Sequence, residues 1–186
     1  MEEQIVYFEK AGEENTSEVL RLARERASAR GIDKVVLAST RGNTARSAME
    51  AFANTNIKLV VIPWQFGFAE MLGMGEGQRF PGELVAELEA QGHQVYFGTM
   101  LFHTEDLYGS RAPLAMANVL RVFCQGIKVC VEILLMAANG GLVVTGEKVI
   151  AIAGTVSGAD TAVVATAAPS TRLSGLHINE IICKPL

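Results

Sequence analysis

The stretch Lys34–Ile62, KVVLASTRGNTARSAMEAFANTNIKLVVI, carries the reading of the fold. It opens on an apolar, β-branched run, KVVLAS (Lys34–Ser39), of the kind found in strands buried on both faces. It leads into a second such run, IKLVVIP (Ile57–Pro63). Between them NTARSAMEAFANT reads as a helix. Strand, helix and strand in alternation predict an α/β arrangement around a mainly parallel sheet.

The pattern extends in both directions. Upstream, QIVYFEK is a short strand, and ENTSEVLRLARERASARG is a helix. Asn15 caps that helix with Glu18 completing a capping box, and Gly31 ends it. Downstream comes a long loop rich in Gly and Met, Trp64–Phe80, then a helix, PGELVAELEAQG, with Pro81 near its start. HQVYFGT (His93–Thr99) is a fourth strand. A second loop, Met100–Ala112, precedes one long helix from near Pro113 to Asn139. The tail differs. KVIAIAGT, TAVVATAA and INEIICK follow one another with no helix between them, which predicts antiparallel strands closing one edge of the sheet. No repeat or linker divides the chain, so residues 1–186 read as one domain.

Composition bounds the function. The net charge is −4 and 49% of the residues are hydrophobic. An acidic chain with a large apolar fraction lacks the basic face that nucleic-acid binding requires. Cys124, Cys130 and Cys183, with no CxxC, read as reduced thiols of a cytoplasmic protein. The N-terminal MEEQIVYF is acidic and short, unlike a signal peptide. The most apolar long run, Val129–Val144, is interrupted by Glu132, Asn139 and two glycines, and reads as a buried helix that ends, with no membrane span.

Chemistry concentrates in the turn Ser39–Thr44, STRGNT. It lies at the carboxyl end of a strand, where open α/β sheets bind ligands. The helix that follows offers free backbone N–H groups and the positive end of its dipole. Gly42 lets a ligand approach the backbone. Ser39, Thr40, Asn43 and Thr44 donate hydrogen bonds, and Arg41 supplies a cation. A phosphate monoester satisfies all of them. A plain helix cap uses the same residue types.

Two further stretches attach to this turn. AGTVSGADTA (Ala153–Ala162) is a second glycine loop. Its Gly154, Thr155, Gly158, Ala159, Asp160 and Thr161 are expected to form a second wall, unless the loop is only a hairpin turn stabilised by Asp160. Phe66, Gly67 and Phe68, with Trp64, Met71 and Met74, lie in the long loop and suit a lid over a flat ring. His103 is a lone candidate acid or base, a single loop histidine being more often a surface residue. No histidine or cysteine grouping has metal-ligand spacing. On the long helix Asn118, Arg121, Gln125, Lys128 and Glu132 make one narrow polar stripe. It is either a solvent face or a contact with a second subunit, with Gly126 allowing close approach.

STRGNT resembles the Ser/Thr-rich phosphate loop of flavodoxins. Lys34–Ile62 is similar to the start of the pyruvate kinase C-terminal domain, where an equivalent turn in some enzymes holds the phosphate of a sugar-bisphosphate effector. YFEKAGEENT, FCQGIKVCVEI, GADTAVV and EIICKP extend the likeness along nearly the whole chain, to stand-alone archaeal and bacterial proteins with the pyruvate kinase C-terminal-like fold. That resemblance implies a three-layer α/β/α sandwich with a mixed, mainly parallel sheet. It also implies FMN, and hence a small flavoprotein; the second-subunit reading of the long helix makes the protein a homo-oligomer. The alternative it implies is a non-catalytic sensor of a sugar phosphate or nucleotide. Pyruvate kinase chemistry itself needs a (β/α)8 barrel of about 250 residues, more than these 186 provide.

Overall fold

The computed structural model describes residues 2–186. Its strands are β1 (Val6–Phe8), β2 (Lys34–Ala38), β3 (Lys58–Ile62), β4 (Gln94–Val95), β5 (Lys148–Ala153), β6 (Thr161–Thr166) and β7 (His177–Pro185). They form one seven-stranded sheet in the order β1-β7-β6-β5-β2-β3-β4. Pairs β1–β7, β2–β3, β2–β5 and β3–β4 are parallel, and β5–β6 and β6–β7 are antiparallel. Only β6 therefore runs against the rest. The sheet is mixed and mainly parallel, as the alternation predicts.

The helices are α1 (Thr16–Arg30), α2 (Asn43–Ala51), α3 (Phe68–Met71), α4 (Gly82–Ala90), α5 (Glu105–Tyr108), α6 (Ala112–Arg121) and α7 (Gln125–Asn139). Strand residues alternate between the sheet's two faces. Val35, Leu37, Leu59, Val61, Ile150 and Ile152 pack with Val19, Ala23, Ala48 and Leu84, so α1, α2 and α4 cover one face. Val36, Val60, Ile62, Val149, Ala151 and Val163 pack with Ile127, Cys130, Ile133 and Leu134 of α7 on the other. Outside α7, Val131 and Leu135 meet Ala117 of α6 and Phe102. The result is the α/β/α sandwich. Among the described residues no helix is long and apolar enough to cross a membrane.

Four expectations need correction. The tail strands do not simply close an edge: β5 lies in mid-sheet beside β2, and the edges are β1 and β4. The strand expected over His93–Thr99 shrinks to Gln94–Val95, an edge strand paired on one side only. The Asn15–Glu18 capping box does not form, because Asn15 Nδ2 donates to Lys10 and Gly12 carbonyls and Glu18 pairs with Arg21. The helix expected from Pro113 to Asn139 is two helices. Cys124 is extended (φ 175°, ψ 167°), and its Sγ caps α7 by accepting from Ile127 N at 3.3 Å. A thiol is not among the usual capping side chains, so the break has no familiar sequence signal.

Candidate functional site

Because β2, β3, β4 and β5 are parallel, the loops that follow them gather at one edge. The turn after β2 is held from inside. Ser39 Oγ accepts from Ala45 N at 3.2 Å, and Ser39 N donates to Ile62 O across to β3 at 3.2 Å. Gly42 is the N-cap of α2, with φ 88°. The first helical bond closes from Arg46 N to Gly42 O, so the amides of Gly42, Asn43 and Thr44 lack partners within α2. Arg41 and Asn43 are exposed, Thr40 is half-buried and Thr44 is buried. The glycine has a structural duty too. A Cβ at position 42 would stand 2.6 Å from Leu84 Cδ2 and 3.3 Å from Pro81 Cδ, so α4 packs directly on the turn.

Beside this turn, at the carboxyl ends of β2 and β3, lies a cavity of about 290 Å³. That is near the lower end of volumes for small-molecule sites, roughly 300–1,000 Å³. Thr40 reaches it from the turn. Trp64, Phe68, Met100, Ile133 and Met136 give it apolar walls. The Trp64 and Phe68 rings meet edge-on at 5.0 Å, and Phe68 meets the His103 ring edge-on at 4.9 Å.

One wall is charged. Lys128 and Glu132, one turn apart on α7, are 1% and 2% exposed and joined at 2.6 Å. Glu132 Oε1 also accepts from Phe102 N at 2.9 Å, so its carboxylate fixes the loop after β4. Lys128 Nζ stands 3.1 Å from His103 Nε2 and 5.3 Å from the centre of the Phe102 ring. Burial lowers the Lys128 pKa, opposed by Glu132. Burial, then the nearby Lys128 ammonium, lowers that of His103. A lowered pKa favours the neutral imidazole, which presents a lone pair to Lys128.

The polar stripe is thus neither a solvent face nor a subunit contact at its C-terminal end. It lines an internal cavity. The clue in sequence is an i, i+4 Lys–Glu pair with apolar residues on every side. Gly126 also has a different partner from the one expected, since a Cβ there would collide with Thr161 of its own chain.

The second glycine loop does not reach the cavity. None of Gly154, Thr155, Gly158, Ala159, Asp160 and Thr161 lines it. Asp160 is fully buried and faces inward, its Oδ2 accepting from Gly12 N at 3.1 Å and Thr155 N at 3.0 Å and its Oδ1 from Thr161 Oγ1 at 2.7 Å. Ala159 N donates to Thr16 Oγ1 at 2.9 Å, and Gly158 packs on Glu13. The loop seals the start of α1. In the long loop, Phe68 lines the cavity but Phe66 does not: it is 67% exposed and leans on Phe97 at 5.1 Å. Gly67, with φ 79°, makes the turn into α3. Met71 and Met74 do not line the cavity, and the residues of this loop that do are Trp64, Phe68 and Leu72.

The family model described as pyruvate kinase, alpha/beta domain, matches residues 17–165. Among solved structures, a Cryptosporidium parvum pyruvate kinase in complex with ADP is similar at 14% identity, over 82% of this chain and 24% of that one, with a TM-score of 0.40. Another pyruvate kinase from Cryptosporidium parvum is similar at 15% identity, over 74% and 20%, with a TM-score of 0.38. The chain spans 24% or less of the length of those two proteins.

Proposed function

The chain belongs to the pyruvate kinase alpha/beta domain family, and from that premise we propose that it binds FMN or a similar phosphorylated ligand at the carboxyl edge of its sheet. The observation that carries the reading is Thr40, which belongs both to the donor-rich turn and to the wall of the cavity. A ligand with its phosphate on the turn would enter the cavity past Thr40. The amides of Gly42, Asn43 and Thr44, with Arg41, suit the phosphate. The rings of Trp64 and Phe68 and the side chains of Met100 and Met136 suit a flat apolar body. FMN itself would supply two-electron redox chemistry, and these residues would bind and orient it. The proposal includes a cytoplasmic protein, read from its three free thiols, and a homo-oligomer, supported by Val119, Val122 and Phe123, which are 64%, 83% and 55% exposed on and after α6.

Thr44→Ala removes a hydroxyl from the turn, and a hydrogen bond to a charged group is worth about 1.5–3 kcal/mol. FMN binding is expected to weaken roughly 10-fold to 100-fold. Riboflavin, without the phosphate, is expected to bind much more weakly to wild type and to ignore the substitution. Arg41→Ala is expected to weaken FMN binding by an amount that shrinks as salt rises. Flavin-fluorescence titrations of the three proteins read all of this. Equal FMN affinity in all three would reduce STRGNT to a capped turn. A protein that ignores flavins and tightens with sugar phosphates would transfer the reading to a sensor domain.

A further inference from the structure

The charged wall of the cavity holds a second cation besides Lys128. Lys128 is compensated by Glu132 at 2.6 Å, and burial lowers the His103 pKa. That leaves Arg121, which also lines the cavity. Its Nη1 donates to Asn118 Oδ1 and its Nε to Gln125 Oε1, both at 2.8 Å. Both acceptors are uncharged amides, and among the described residues no salt bridge reaches Arg121. Gln125 and Asn118 stand on opposite sides of the break between α6 and α7. The guanidinium is therefore positioned by the helix break and half-buried beside apolar walls, bonded only to neutral amides, while the Glu105 carboxylate acts on Lys128 and His103 without a salt bridge to Arg121.

We propose that Arg121 is an anion subsite by which the cavity prefers, among flat apolar ligands, those that carry a carboxylate. A guanidinium presents a planar fork that matches a carboxylate, and such pairs strengthen when water is excluded. The apolar walls take the body of the ligand, and Arg121 takes its charged end. The inference rests on the cavity being the ligand site, and not on the ligand being FMN.

Trp64 is the chain's one tryptophan and stands in the cavity wall, so its fluorescence reports occupancy directly. The probes are benzoate and benzamide, which share a ring and differ in charge. Wild type is expected to show saturable quenching by benzoate, roughly 10-fold tighter than by benzamide, and weakening as salt is raised. Arg121→Gln is expected to abolish the preference, and Arg121→Lys to keep part of it. Arg24→Gln, exposed on α1 across the sheet from the cavity, is expected to leave it intact. Circular dichroism checks that each variant folds. If Arg121→Gln perturbs the helix break, the reduced preference of Arg121→Lys carries the test. Equal binding of the two probes to wild type, a preference that survives in Arg121→Gln, or no benzoate binding overturns the proposal. A protein that ignores FMN but distinguishes the probes leaves it standing. One that binds FMN without distinguishing them overturns this subsite alone.

Discussion

The Asp160 carboxylate accepts two backbone amides and one hydroxyl in a fully buried position. Asp160→Ala strands those three donors, so unfolding free energy should fall by about 2–4 kcal/mol, the sum of lost charged hydrogen bonds and partial relaxation. Urea denaturation measures it, and an unchanged midpoint would return Asp160 to a ligand-facing role. His93 makes a complementary case. Its Nδ1 accepts from Leu59 N at 3.3 Å, which only an unprotonated Nδ1 can do, and burial lowers its pKa from 6.5. His103 is lowered in the same direction. The unfolded chain then binds protons more readily than the folded one between the lowered values and 6.5. Stability contributed by the neutral rings is present above 6.5 and is lost as pH falls through that window. Melting temperatures followed from about pH 7 downward should drop, and His93→Gln should drop less steeply. Parallel profiles would exclude His93. In sequence the same Asp160 read equally as a turn residue or a ligand contact, because residue type does not say which way a side chain points.

α7 carries its only two buried charges side by side. Lys128→Met leaves the Glu132 carboxylate buried without its cation, and such single removals cost about 3–5 kcal/mol. Adding Glu132→Gln removes the orphan charge while keeping an acceptor for Phe102 N, so the double variant should recover most of that loss. Denaturant titration of wild type, single and double variants tests the coupling. Additive losses would mean that the pair is not a unit. The apolar periodicity of this element was legible, and so was its polar stripe. Its N-terminal boundary was not, because the cap is the sulfur of Cys124.

The whole molecule turns on the position of β5. A crossover through α6 and α7 brings the chain back beside β2, on the opposite face from α1, α2 and α4. The chain therefore reverses its winding between β2 and β5, and the cavity opens at the carboxyl end of β2 beside this point. α6 forms an outer shoulder on that face, with exposed Val119, Val122 and Phe123 joined by Leu107 and Tyr108, 71% and 72% exposed. Apolar patches of this kind mark association surfaces. Sedimentation should give a native mass of at least twice 19.9 kDa. A monomer whose mass does not change with concentration would mean that this strip stays in water.

The sequence by itself determined the local events: the βαβ alternation, the short apolar strands, the αL glycine that ends α1 and the donor-rich turn after β2. Each depends on residues near one another in the chain, whose periodicity and backbone preferences act without tertiary help. Tertiary structure alone decided which loops share a site. It placed β5 against β2, turned Asp160 toward Gly12 and away from the cavity, and brought His103 within 3.1 Å of Lys128. Those meetings join residues 25 to 148 positions apart. They are fixed by how helices pack on the two faces of one sheet, which no local pattern encodes.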